Sequence, residues 1–166
     1  MGRDDLLVGG ANAAAVSAIE AWPEWSHPVL VLIGPEGSGK SHLGEIWLRL
    51  SGAVRVEATA LRQADVPSLA ENRAVLVEDL AGGIDETALF HLVNEMEARR
   101  HWLMITTRGE PATLGLALAD LRSRLSRVPA VRLDPPDDAL LESVLVKLFA
   151  DRQIAGGSRA GSLEAI

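Results

Sequence analysis

Short apolar runs alternate along the chain with segments whose apolar residues recur every three to four positions. That alternation predicts helices packed on a parallel sheet, an α/β fold. Val29-Leu30-Val31-Leu32-Ile33 follows Pro28 and runs into Gly34. It is apolar on both faces, as a central strand covered by helices on each side must be. Ala74-Val75-Leu76-Val77, ending at Glu78-Asp79, and Trp102-Leu103-Met104-Ile105, ending at Thr106-Thr107, repeat the pattern. Val54-Arg55-Val56 and residues 130–133 predict two shorter strands.

The helix-period segments fall between these runs. One helix is predicted over 12–22, with Ala15, Ala18, Ile19 and Trp22 on one stripe and Pro23 at its end. A second starts near Gly39, buries Leu43, Ile46, Trp47 and Leu50, and stops at Ser51-Gly52. Asp85 caps a third, whose stripe is Leu89, Leu92, Val93 and Met96 and whose last turn carries Arg99 and Arg100. A fourth is predicted over 116–125. A fifth opens at Pro135-Pro136-Asp137 and buries Leu141, Val144, Leu145 and Leu148. Residues 57–72 are weakly patterned. Residues 155–166, rich in Gly, Ser and Ala, read as a flexible tail, which leaves 1–154 as one domain.

Composition narrows the possible chemistry. The 166 residues suffice for one self-supporting core, and 48% hydrophobic with 23% charged residues is an ordinary globular balance. A net charge of -7 gives no general attraction to nucleic acid or an anionic membrane, so no direct sequence-specific DNA binding is expected. The absence of cysteine excludes disulfides, thiolate metal sites and cysteine nucleophiles. No run approaches the ~20 apolar residues of a membrane span, and Met1-Gly2-Arg3-Asp4-Asp5 is unlike a signal peptide, so the cytoplasm is expected. The four histidines, His27, His42, His91 and His101, show no metal-ligand spacing.

One motif carries specific chemistry. Gly34-Pro35-Glu36-Gly37-Ser38-Gly39-Lys40-Ser41 fits the Walker A pattern G-x-x-x-x-G-K-[ST] in full, between a buried strand and an amphipathic helix. Glycines let consecutive N–H groups curl around an anion, and the following helix aims its positive end at the same point. Lys40 can reach the β- and γ-phosphates, and the Ser41 hydroxyl can occupy a magnesium position. Pro35, Glu36, Gly37, Ser38, Gly39, Lys40, Ser41 and the adjoining His42 are the candidate nucleotide-binding residues, with ADP or ATP and Mg²⁺ as the expected ligands.

The remaining candidates depend on that loop. Glu78-Asp79 ends an apolar strand in the manner of a Walker B motif, where one carboxylate holds magnesium and a neighbour orients water. Side chains alternate on a strand, so only one of Glu78 and Asp79 can aim fully at the phosphates, and the sequence leaves open which. Thr106 and Thr107 can contact a γ-phosphate, or can simply suit a strand end. Arg122 and Arg124, two apart on a helix, do not share a face, and by pattern alone they read as a solvated charged helix.

The order of these elements resembles the DnaA/Hda family of AAA+ proteins. The resemblance rests on Leu7-Val8-Gly9, the Ala-rich helix, Lys40-Ser41-His42-Leu43, Glu78-Asp79, Ile105-Thr106-Thr107-Arg108-Gly109-Glu110-Pro111 and Leu121-Arg122-Ser123-Arg124-Leu125. It covers residues 4–154 and is closer to the short Hda-type regulators of alphaproteobacteria than to the initiator itself. It implies a five-stranded parallel sheet of order 5-1-4-3-2 and a nucleotide held between subunits. Leu7, Val8 and Gly9 would lie near the adenine, Thr107 or Arg108 at the first sensor, and Arg124 at the arginine finger acting on a neighbour's nucleotide. The implied partners are a DnaA-like AAA+ protein and the sliding clamp, with self-association through the nucleotide interface.

Three features depart from the family pattern. Glu78 stands where Asp is usual, the Gln-Leu-x-Leu-Pro-Leu-like clamp peptide is not found before Asp4, and the match ends near Ile154, before the helical lid. The function implied is regulation of replication initiation, by stimulating ATP hydrolysis on DnaA through Arg124. The alternatives are a nucleotide-gated interaction module without catalysis, a DnaA-like ATPase with another partner, and a small P-loop kinase. The sequence offers the kinase no arginine-bearing lid.

Overall fold

The computed structural model describes residues 10–36, 39–133, 146 and 150. Its sheet has five parallel strands: β1 (Val29–Ile33), β2 (Val54–Glu57), β3 (Ala74–Leu80), β4 (Trp102–Thr107) and β5 (Ala130–Arg132). The spatial order is β2-β3-β4-β1-β5, the expected 5-1-4-3-2 seen from the other edge. The helices are α1 (Gly10–Ala21), α2 (Lys40–Ser51), α3 (Val66–Ala70), α4 (Glu86–Arg99) and α5 (Ala119–Arg127).

The doubly apolar strands feed two separate cores. Val29, Val31 and Ile33 of β1, Val75 and Val77 of β3, and Leu103 and Ile105 of β4 join the stripes of α3, α4 and α5 on one face. Leu30 and Leu32, Ala74 and Leu76, and Met104 face the other way, onto α1 and α2. The period-2 alternation therefore assigns every second side chain to a different layer. On the α1/α2 face all four tryptophans gather, with Trp25 stacked on Trp47 at 5.5 Å and Trp22 and Trp102 set edge-on around them.

Local chemistry sets the helix ends as expected, with one exception. Gly52 takes φ 72° after α2, and the Asp85 carboxylate accepts the Ala88 N–H at the start of α4. The helix expected over 116–125 begins instead at Ala119. The Glu86 carboxylate, reaching from α4, accepts the N–H groups of Ala117 and Leu118 and holds that stretch out of the helix. The weakly patterned stretch contains two short 3₁₀ turns, Ala58–Ala60 and Gln63–Asp65, and α3. Most of the predicted fifth helix and all of 155–166 lie outside the described residues. No described helix is long and apolar enough to cross a membrane.

Candidate functional site

The loop after β1 sits at the sheet's carboxyl edge, where ligands of open α/β sheets bind, with β4 and β5 on either side. Gly34 is tied there, its N–H donating to the Thr107 carbonyl at 3.0 Å. Gly39 precedes α2 with φ 99°, a backbone state that side chains oppose and glycine accepts. Its carbonyl accepts the Leu43 N–H, so the first turn of α2 closes directly behind the loop. The N–H groups of that turn have no helical partners and point towards the loop. Gly37 and Ser38, like Leu7, Val8 and Gly9, lie outside the described residues.

Lys40 is the unusual side chain of the site. It is only 7% exposed, yet its ammonium makes no hydrogen bond or close ion pair with the described residues. Burial holds its pKa below the ordinary lysine value, the Asp79 charge opposes that shift, and Arg108 adds to it. A buried cation without a partner is costly to hold, and an arriving polyanion would compensate it. Ser41 and His42 are exposed on the first turn of α2, and Pro35 and Glu36 are exposed before it. Arg108 lies beside the start of the loop, with Nη2 3.6 Å from Glu36 Oε1.

The two acidic residues separate. The β3–β4 register slips between Val77 and Leu80, and Asp79 takes φ 63°, a left-handed state that aspartate tolerates better than most residues. Its N–H donates to Thr106 Oγ1 at 3.1 Å, which pins the irregular strand end to β4. The exposed Asp79 carboxylate is the one whose charge acts on Lys40. Glu78 turns to the α2 face, where its Oε1 lies 3.5 Å from Arg55 Nε. Burial pushes its carboxyl above the usual range, Arg55 pulls it back, and the Glu57 and Asp79 charges push it up again.

The threonines also separate. Thr107 is fully buried, and its hydroxyl bonds the carbonyls of Leu80 and Gly109 and accepts the Gly109 N–H. Those bonds hold the sensor candidate within the strand-end loop. Thr106, one residue earlier and on the α2 face of β4, is the threonine that meets the acidic strand end. Arg108 and Thr106 are thus the polar groups that the sequence pattern left least defined.

Arg124 lies elsewhere. It sits in the second half of α5, ion-paired with Glu97 near the carboxyl end of α4, its guanidinium 6.0 Å from the centre of the Phe90 ring. Glu97 also meets His27 at 3.3 Å, just before β1 begins. Arg124 is therefore near the amino ends of the strands, opposite the Lys40 loop, and does not serve that loop within one chain.

No described group of three or more His, Asp or Glu side chains forms a metal cage. Hard oxygen donors at the loop are nonetheless what magnesium takes alongside phosphate oxygens, and the exposed Ser41 hydroxyl and Asp79 carboxylate supply them. The donor set fits magnesium that arrives with a nucleotide rather than a resident ion.

No known protein-family model matches the chain. Among solved structures it is similar to AMPPCP-bound DnaA from Aquifex aeolicus, with a TM-score of 0.66 and 18% identity over 87% of this chain and 52% of that one. Domain III of the Thermotoga maritima replication initiation protein DnaA gives 0.62 and 21%, over 89% of this chain and 72% of that one. The Thermotoga maritima RuvB Holliday junction branch migration motor gives 0.55 and 17%, over 91% and 53%. The chain thus spans about half the length of the Aquifex DnaA and RuvB chains it matches. With its parallel sheet, strand order and loop position, the chain has the AAA+ P-loop fold of these solved structures.

Proposed function

We propose that the chain binds an adenine nucleotide at the loop between β1 and α2 and acts, in the manner of Hda-type proteins, as a regulator of DnaA. The observation that carries the binding step is Lys40, buried and without a partner among the described residues, at the start of α2 behind a glycine at φ 99°. The N–H groups of the loop and first turn would hold the phosphates, with Lys40 and Arg108 balancing their charge. Ser41 and Asp79 would hold magnesium, which neutralises the β- and γ-phosphate oxygens when it is bound. Residues 1–154 would form the AAA+ core, with Leu7, Val8 and Gly9 beside the adenine.

The regulatory step is assigned to Arg124 acting on the nucleotide of a neighbouring DnaA-like subunit, with the sliding clamp as a further partner. Its distance from its own loop supports action in trans, because a guanidinium at the far end of the strands does not reach its own chain's phosphates. Engagement would exchange Glu97 for phosphate oxygens. A second reading, a nucleotide-gated interaction module with little hydrolysis, is favoured by the pairing of Glu78 with Arg55 and the closed bonds of Thr107.

Calorimetric titration of Lys40→Ala with ADP tests the binding step, and loss of binding is expected. Micromolar affinity retained by that variant would overturn it. Single-turnover ATP hydrolysis, with and without DnaA, separates the two readings: acceleration of DnaA supports the regulator, and its absence supports the module.

A further inference from the structure

One guanidinium stands among three carboxylates beside the candidate site. Arg55, on the edge strand β2, pairs with Glu45 of α2 and with Glu78 of β3, and the Glu57 charge acts on it as well. Glu45 is further tied to Arg49 at 3.6 Å. Glu78 is held low on the α2 face: a Cβ built on Gly44 would lie 3.9 Å from its Oε2 and 3.4 Å from Leu76 Cδ2. Gly44 belongs to the second turn of α2, three residues past Ser41, and the Glu78 carboxylate makes no hydrogen bond to the Ser41 hydroxyl.

Magnesium demands oxygen ligands at about 2.1 Å in near-octahedral array, so a carboxylate engaged by a guanidinium must give up that partner before joining it. Asp79 has no such partner among the described residues and faces Lys40. We infer that Arg55 is a positioning residue: it retains Glu78 against α2 and out of the metal position, leaving Asp79 as the acidic side chain that serves Mg²⁺, so that nucleotide binding by this chain is less coupled to Mg²⁺ than it would be with Glu78 released. The inference rests on the nucleotide reading. It concerns which of the two acidic residues is free to serve the ion.

The test is the affinity for a fluorescent N-methylanthraniloyl ADP, measured in EDTA and again in excess Mg²⁺, for the wild type, Arg55→Gln and Arg55→Lys. Wild-type affinity should be no more than about fivefold higher in Mg²⁺ than in EDTA. Arg55→Gln should raise the Mg²⁺-to-EDTA affinity ratio by at least about fivefold, the low end of ordinary site coupling. Arg55→Lys, which keeps the charge but not the fork that spans two carboxylates, should fall between them and guards against misfolding of the glutamine variant. A purely structural role would weaken binding in both buffers alike and leave the ratio unmoved. An unmoved ratio in both variants, with binding intact, overturns the Arg55 assignment alone. Failure of the wild type to bind in either buffer overturns the nucleotide reading, and this inference with it.

Discussion

Replacing Lys40 with methionine should make the protein more stable and at the same time unable to bind nucleotide. The side chain is nine-tenths buried, its ammonium makes no hydrogen bond with the described residues, and burial depresses its pKa. Methionine nearly conserves the volume and removes the charge. Exchange of poorly compensated buried charge for apolar groups stabilises by about 1–4 kcal/mol; Lys40 keeps the attraction of Asp79, so the low end, about 1 kcal/mol, is expected. For a domain of this size that raises Tm by about 2–4 °C.

The ligand response should run the other way. ADP at 100 times its Kd would add about 2.7 kcal/mol to the wild type, a Tm rise of about 5–10 °C, and nothing to Lys40→Met. Intrinsic tryptophan fluorescence follows both melts, because the four indoles pack in one cluster against α2. A variant less stable than the wild type, or one that still gains stability from ADP, would refute the argument that Lys40 is a charge held in readiness for phosphate.

Other substitutions probe separate links. Gly39→Ala forces a side chain onto φ 99° and should cost about 1–2 kcal/mol, read as a lower urea midpoint at unchanged m, together with weaker ADP binding. Glu78 titrates above its ordinary value of 4.5 in the folded chain, so its contribution to stability is present below that pH and is lost as pH rises through the folded value. Urea unfolding across this window should therefore show the wild type losing stability relative to Glu78→Gln as pH rises, and parallel curves would contradict the buried placement of Glu78. Arg124→Ala should leave ADP affinity unchanged but reduce stimulation of DnaA hydrolysis by about two orders of magnitude or more, the scale of a trans arginine. Full stimulation by that variant would remove Arg124 from the mechanism.

What the sequence disclosed and what it hid follow from the range of the interactions involved. Strands β1, β3 and β4 are legible because burial on both faces requires an unbroken apolar run, and Val29 to Ile33 leaves no other reading. The loop is legible because a strand, a glycine pattern and a helix follow one another in the chain. The start of α5 was not, since the carboxylate that holds Ala117 and Leu118 out of the helix comes from Glu86, thirty-one residues before Ala117. The parting of Glu78 and Asp79 was hidden for a similar reason. It depends on a register slip against β4, on the Thr106 hydroxyl and on Arg55 from β2, none of which is a neighbour in sequence. Thr106 and Thr107 were indistinguishable by type, and only the irregular end of β3 decides that Thr106 takes the Asp79 N–H while Thr107 bonds Leu80 and Gly109.

Site-resolved titration tests the central claim most directly. In a ¹⁵N-labelled sample titrated with ADP, the amides of Gly39, Lys40 and Ser41 should move first and furthest, with Asp79 and Arg108 following. Shifts confined to α4 and α5, or none at saturating nucleotide, would contradict it.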